Sequence, residues 1–167
     1  MGFEPSCYNK INIHVGGAYG EPIEALNRFC NNFYLLHPNT QARLTVENDD
    51  RANLFSTKDL YEYVHKVIGI PIVFDYHHHI FNTGGLSEKE ALQLAMSSWP
   101  IEITPVVHYS ESRNIHNGEA IPTPAHSDIV YGPVNLYNNM VDIMVEAKHK
   151  EKALITLTVN ESDIGNE

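Results

Sequence analysis

The chain alternates between short apolar runs and longer segments in which apolar residues recur every three or four positions. The short runs are typical of strands, and the longer spacing is typical of the buried face of a helix. The resulting order is β-α-β-α-β-α-β-loop-β-α, which predicts parallel strands joined by right-handed crossovers. The predicted strands are residues 11–15, 44–46, 70–74, 101–108 and 141–145.

The predicted helices begin and end at residues that commonly cap helices. Ser56 and Ser87 are each followed three residues later by an acidic residue, as in a capping box, and Gly69 is a typical helix stop. The predicted helices run from Glu21 to Pro38, from Ser56 to Gly69, from Ser87 through Trp99 and over residues 150–157.

The chain has the organisation of one α/β domain, since no internal repeat or linker divides it. Residues 114–124 are rich in Gly, Pro and Asn and are predicted to form a loop. The tail, residues 160–167, is polar and is expected to fray. We therefore expect residues 1–167 to form a single domain.

Length, charge and cysteine content narrow the class of protein. A complete (β/α)₈ barrel usually needs about 250 residues, so this chain of 167 residues accounts for part of one. The formal charge of −10 predicts no bulk attraction to nucleic acid, although bound cations reverse the local potential of an acidic pocket. Cys7 and Cys30 suggest neither a disulfide framework nor a zinc–thiolate site. Without a signal peptide or a membrane-spanning run, we expect a soluble intracellular protein.

A polar side chain able to bind a metal ion stands at the end of each predicted strand. Successive members are 33, 28, 33 and 38 residues apart, close to the length of one βα unit. The C-terminal ends of parallel strands converge on one face of a βα barrel, so the pattern predicts a metal site there. The candidate ligands are His14, Glu47, Asp75, His108 and Glu146, with His78 one turn after Asp75.

Each of these residues also has an ordinary structural interpretation. A lone histidine at a strand end is more often a hydrogen-bonded core residue, and a histidine triplet can be a solvated loop. Only one of His77, His78 and His79 is needed as a ligand. The same residue types at the end of successive strands favour the metal interpretation.

Other polar residues near the strand ends are less informative. We interpret Asp49 and Asp50 as an acidic turn, and His126 as equally compatible with a loop residue and a ligand. Tyr76 and Tyr109 are candidates for substrate binding, although packing is the commoner role for a tyrosine. The remaining histidines are predicted to lie at the surface: His37, His65, His116 and His149.

Six ordered motifs resemble the C-terminal half of the UV-damage endonuclease family. They are HVGGAYG, LTVENDD, FDYHHH, HYS, AHSD and EAKxKEKAL, and together they cover nearly all of the chain. The family has a TIM-barrel fold and is related to endonuclease-four-type apurinic-site nucleases. The resemblance implies a partial (β/α)₈ barrel containing the family's strands four to eight.

The resemblance also implies a trinuclear site for divalent metal, usually Mn²⁺, with Zn²⁺ or Mg²⁺ as alternatives. Glu47, Asp75 and Glu146 would act in catalysis through the bound metals. The implied partner is damaged double-stranded DNA, cut immediately 5′ to a UV photoproduct, with no membrane. The implied ligands are Glu47 bridging two metals, His14 on the first, Asp75, His108 and Glu146 on the second, and His78 and His126 on the third.

The chain departs from the family pattern in two respects. The earlier strands of the barrel have no counterpart, and Val106 stands where the family often has a modified lysine. We therefore expect little incision by the chain alone, and either self-association or an N-terminal half that supplies the missing strands. The alternatives are a non-catalytic metal-binding fragment and a xylose-isomerase-like sugar isomerase or epimerase. The HYS and AHSD motifs favour the nuclease over the isomerase.

Two further expectations concern the site, one about its geometry and one about its charge when no metal is bound. His14 and His78 are expected on opposite sides of the other ligands. At least one carboxylate is expected to have a raised pKa, because neighbouring negative charges repel.

Overall fold

The computed structural model describes residues 2–115 and 122–161. Within these residues, one sheet contains five parallel strands in the order β1-β2-β3-β4-β6, curled as half of a barrel. A separate pair, β5 and β7, is also parallel. The strands are β1 Ile11–Ile13, β2 Leu44–Glu47, β3 Ile72–Asp75, β4 Val106–Tyr109, β5 Val134–Asn135, β6 Asp142–Val145 and β7 Val159–Asn160.

Helices connect the strands of the main sheet, as the sequence predicts. Capping boxes begin α3 at Ser56 and α6 at Ser87, and Gly69 ends the α3–α4 segment with φ of 75°, a conformation that glycine adopts without strain. The helices are α1 Pro22–Phe33, α2 Pro38–Gln41, α3 Thr57–Leu60, a π-helical turn Tyr61–His65, α4 Lys66–Ile68, α5 Tyr76–Phe81 and α6 Glu88–Met96, with 3₁₀ turns at Cys7–Asn9 and Lys150–Ile155.

The two faces of the sheet have different surroundings because side chains alternate along each strand. One face packs against the helices and forms the main core, which includes Val46, Phe74 and Val107 together with Leu26 and Leu92 of the helices. The concave face carries a smaller apolar cluster of Cys7, Val73, Trp99 and Val106. The predicted ligands lie on this concave face, beyond that cluster.

The predicted α/β class and partial barrel are confirmed, and the differences are local. The fourth strand begins five residues later than predicted, because residues 101–103 form a turn and residues 104–105 have no regular structure. The last predicted helix, residues 150–157, is a 3₁₀ turn, and β5 and β7 were not predicted. Helix α5 occupies the position of the histidine triplet. Most of the predicted loop at 114–124, with His116, and the tail beyond residue 161 lie outside the described residues. The single domain stays a prediction.

The ends of the main sheet are open within the described part of the chain. There, β1 pairs only with β2, and β6 pairs only with β4. Among residues 2–115 and 122–161, no helix is long and apolar enough to cross a membrane.

Candidate metal centre

The predicted ligands lie together at the C-terminal ends of the strands. Glu47 and Asp75 are the last residues of β2 and β3, and His108 is paired with Asp75 in the register of β3 and β4. His14 and Glu146 directly follow β1 and β6. The parallel topology therefore brings together side chains that are far apart in sequence.

Glu47 lies at the centre of this arrangement and is only 5% exposed. Its Oε1 is 3.4 Å from Nδ1 of His78 and 4.0 Å from Nε2 of His14. Its Oε2 is 3.3 Å from Nδ1 of His108. One carboxylate thus contacts three histidines that come from three different parts of the fold.

The remaining residues extend the arrangement toward β6. Nδ1 of His108 is 3.2 Å from Oε1 of Glu146, and Oε2 of Glu146 is 3.6 Å from Nδ1 of His126. On the other side, Oδ2 of Asp75 is 3.8 Å from Nδ1 of His78. The connected set, which we call the His/carboxylate cluster, consists of His14, Glu47, Asp75, His78, His108, His126 and Glu146.

Two groups of three residues within the cluster have the spacing of a metal site. In each group the ligand atoms lie within 4.8 Å of one another, and Glu47 belongs to both. The Oδ2 atom of Asp75 is buried without a hydrogen-bond partner, and a cation would offset the cost of burying it. Carboxylates mixed with imidazoles suit Mn²⁺ and are also compatible with Zn²⁺ or Mg²⁺. The groups are His14, Glu47 and His78, and Glu47, Asp75 and His108.

Comparison with known proteins identifies the family that carries this arrangement. The family model described as UV-endonuclease UvdE matches residues 1–166. The chain belongs to the UvdE family. This confirms the resemblance found in the six sequence motifs.

Individual members of the UvdE family match over most of this chain. The UV DNA damage endonuclease of Bacillus mycoides (strain KBAB4) is 34% identical over 168 residues, which are 98% of this chain and 51% of that protein. That of Bacillus pumilus (strain SAFR-032) is 35% identical over 155 residues, or 88% of this chain and 47% of that protein. The crystal structure of SacUVDE superposes with a TM-score of 0.71 and 34% identity, over 88% of this chain and 49% of that chain. The chain therefore spans about half the length of the relatives it matches.

The protonation of the cluster is set by burial and by ion pairing. Burial raises the pKa of Asp75 to about 7. Burial also opposes charge on Glu47 and His108, but the opposite charges of their neighbours outweigh it: the pKa of Glu47 lies below its ordinary value, and that of His108 is raised to about 10. A proton on His108 thus balances the carboxylates of Glu47 and Glu146. The expectation of a raised carboxylate pKa is confirmed for Asp75, although desolvation contributes more than repulsion.

The relative placement of two histidines differs from the prediction. The rings of His14 and His78 are neighbours, with centroids 5.4 Å apart, and both approach Oε1 of Glu47. The expectation that they flank the cluster from opposite sides is wrong. Helix α5 begins directly after Asp75 and carries His78 back over the end of β2, toward β1.

The two tyrosines that were candidates for substrate binding lie on the other face of the sheet. Tyr76 is 3% exposed, and its hydroxyl donates to the carbonyl of Asn135 at 2.8 Å. The hydroxyl of Tyr109 donates to Glu111 at 3.0 Å, and the two tyrosine rings pack edge to face. These contacts support the packing interpretation, because each hydroxyl already has a partner away from the cluster.

Asn48 is a polar residue near the cluster that the sequence pattern did not single out. It is fully buried, and its side chain accepts from the backbone N–H of Asp75 at 2.8 Å and donates to the carbonyl of Asp75 at 3.0 Å. Its own carbonyl lies 2.9 Å from Nδ1 of His78. Asn48 therefore joins the ends of β2 and β3 where backbone pairing stops. Its position directly after Glu47 was the available sequence signal.

Asn12 is a second such residue, on the same face of β1 as His14. Its side-chain amide donates to Oε2 of Glu47 at 2.5 Å, and its carbonyl oxygen accepts from the hydroxyl of Thr45 at 3.0 Å. Residues two positions apart in a strand share a face, so the spacing from His14 could have indicated this role.

The other members of the histidine triplet are buried in the protein. Nε2 of His77 is 3.1 Å from the carbonyl of Pro124, and its ring packs edge to face against His126 at 5.3 Å. Burial lowers the pKa of His77 and of His79, which favours the neutral rings. His77 thus supports the segment that carries His126.

Val106 lies two residues before His108 and on the same face of β4. It is 7% exposed and belongs to the apolar cluster with Val73 and Trp99. The valine at this position therefore fills part of the floor beneath the His/carboxylate cluster. Of the histidines predicted at the surface, His37 and His149 are exposed, and His65 is half-buried with Nδ1 near the carbonyl of Ile70.

Proposed function

We propose that this chain provides the metal centre of a DNA-repair endonuclease that cuts damaged double-stranded DNA immediately 5′ to UV photoproducts. The observation that carries the proposal is the shared position of Glu47 in two groups of ligand atoms, at the strand ends of a UvdE-family half-barrel. The names of the relatives, UV DNA damage endonucleases, support the substrate class.

The proposed ligand roles are those that the family resemblance implies. Glu47 would contribute to holding two ions, since its oxygens face different histidines. His14 would hold the first ion, and Asp75, His108 and Glu146 would hold the second. His78 and His126, whose ring centroids are 6.4 Å apart, would hold a third ion. We propose Mn²⁺ as the ion.

The proposed reaction is hydrolysis of one phosphodiester bond. A bond forms between a water oxygen and phosphorus, the bond from phosphorus to O3′ breaks, and the products are a 3′-hydroxyl and a 5′-phosphate. Bound divalent ions would supply Lewis acidity and an activated water. Without metal, the nearby carboxylates of Glu47 and Glu146 raise the pKa of His108 and so favour a proton on its ring. Metal binding would release that proton, because an imidazole must be neutral to act as a ligand.

Val106 favours a second candidate function, metal binding without incision. Its side chain leaves an apolar surface beneath His108, where the family often has a modified lysine. The sugar isomerase alternative receives no support from the comparisons.

The test is incision of a labelled duplex that contains a single UV photoproduct. The chain is assayed alone and together with the N-terminal half of the Bacillus mycoides relative, with Mn²⁺ or with chelator. We expect a metal-dependent nick 5′ to the lesion, with little incision by the chain alone, and loss of the nick in Glu47→Gln. Tight Mn²⁺ binding without any nick in either mixture would favour the non-catalytic alternative. Unchanged incision in chelator would overturn the metal-dependent mechanism.

A further inference from the structure

Asp49 contacts the side of His14 that faces away from Glu47. Its Oδ1 is 3.3 Å from Nδ1 of His14, while Nε2 of the same ring is 4.0 Å from Oε1 of Glu47. Asp49 is 6% exposed, so it is buried beside the cluster, which its interpretation as part of an acidic turn did not indicate. The two ring nitrogens of His14 therefore face two different carboxylates.

His14 lies just beyond the end of its strand, next to Asp49. His14 follows the last residue of β1, lies in a segment without regular structure, and its side chain is 40% exposed. Asp49 is anchored by its backbone N–H, which donates to the carbonyl of Phe55 at 2.8 Å, and its Oδ2 is 3.4 Å from the backbone nitrogen of Phe55. A fixed carboxylate thus lies beside a ring that has few other restraints.

We propose that Asp49 is a positioning residue that holds His14 in the tautomer protonated on Nδ1, so that Nε2 presents its lone pair to a cation beside Glu47. Carboxylates commonly fix metal-binding histidines in this way, by accepting the proton of the nitrogen that does not bind the metal. This inference rests on the metal centre proposed above. It gives Asp49 a role in the site. The C-terminal end of β2 would then supply both a ligand, Glu47, and the residue that orients a second ligand, His14.

The first test needs no metal. The imidazole ¹⁵N shifts of His14 are measured by NMR in chelator, at about pH 8.5, where an unperturbed histidine is neutral. We expect the Nδ1-protonated tautomer in the wild-type chain and a mixture of tautomers in Asp49→Asn. A wild-type ring protonated on Nε2, or the same tautomer in both proteins, would overturn the inference whatever the chain binds.

The second test measures Mn²⁺ affinity by calorimetry. Replacing a supporting partner of a metal ligand typically weakens affinity about 10–100-fold, and we expect a loss in this range for Asp49→Asn. The matched control is Asp50→Asn, which removes the same charge from the same turn without an ion pair to His14; its affinity should stay close to that of the wild type. In a His14→Gln background, Asp49→Asn should cause little further loss, because the two residues act as one unit.

The outcomes separate this inference from the proposed function. Equal Mn²⁺ affinity in the wild type and Asp49→Asn refutes the role of Asp49 and leaves the metal centre standing. Equal losses in Asp49→Asn and Asp50→Asn also refute it, since they would reflect charge alone. No Mn²⁺ binding by the wild type refutes the metal centre and, with it, the presentation of Nε2 to a cation. If Asp49→Asn does not fold, the wild-type tautomer and the affinity of Asp49→Glu decide the question.

Discussion

The proton on His108 predicts that the metal-free chain loses stability as the pH rises. The pKa of His108 is raised to about 10 in the folded protein, because the carboxylates of Glu47 and Glu146 outweigh the effect of burial. Its pKa in the unfolded chain is about 6.5. The stabilising contribution is therefore complete below pH 6.5 and is lost as the pH rises through the folded-state value.

The size of this loss of stability follows from the number of protons that His108 binds in the folded and unfolded states. Between pH 6.5 and 8.5, His108 binds a proton in the folded state and not in the unfolded state, so the free energy of unfolding should fall by about 1.4 kcal/mol per pH unit. Across this window the loss is about 2–3 kcal/mol, a large part of the roughly 5–15 kcal/mol typical of a domain. Asp75, whose pKa is raised to about 7 in the folded state, adds a smaller loss at the lower end of this window, and this loss should persist in His108→Gln. His77 and His79 add little slope above pH 6.5, because burial lowers their pKa values and favours neutral rings in the folded state too.

The assay is urea unfolding in chelator at several pH values from 6.5 to 8.5. We expect a steady fall in stability for the wild type and a much smaller slope for His108→Gln, which cannot bind the proton. Saturating Mn²⁺ should flatten the wild-type slope, since a bound ion takes the place of the proton. A wild-type curve that is flat over this window, or an unchanged slope in His108→Gln, would show that His108 is not held protonated by its neighbours.

Three further predictions concern single residues in or next to the His/carboxylate cluster. Mn²⁺ at 100 times its dissociation constant should stabilise the wild type by about 2.7 kcal/mol. In thermal melts, Glu47→Gln should show only a small part of this stabilisation. Equal stabilisation of the wild type and Glu47→Gln would contradict the bridging role of Glu47. Asn48→Ala should lower the free energy of unfolding by about 2–4 kcal/mol, because two buried backbone groups of Asp75 lose their partners. Asn53→Ala, at an exposed position, is its control, and equal urea midpoints would exclude the proposed link between strands. His77→Phe should weaken Mn²⁺ binding at the site of His126 while the fold is retained. If calorimetry detects the same number of Mn²⁺ sites with the same affinities as in the wild type, His77 does not support His126.

The sequence alone predicted the parallel α/β architecture and the positions of the strand ends. Both depend on local periodicity, which is readable without contacts: apolar runs mark the strands, and capping residues such as Ser56 and Ser87 mark the helix starts. Because parallel strands align their C-terminal ends, the residue at each end could be predicted to face its counterparts. All seven predicted ligands lie in one cluster, although that they bind metal stays a proposal.

Tertiary structure decided which neighbouring polar residues support those ligands. Asn48 pairs with the backbone of Asp75, 27 residues away, and Asp49 faces His14 across the β1–β2 edge. Such contacts depend on the lateral register of strands and on how the chain turns after each one, and neither leaves a periodic signal. The surroundings of the three histidines in helix α5 likewise leave no periodic signal in the sequence. Asp75 caps this helix by accepting from the backbone N–H of His78 at 2.8 Å, which directs His78 toward Glu47 and buries His77 and His79. Three consecutive histidines therefore receive different surroundings, because successive residues of a helix point about 100° apart around its axis.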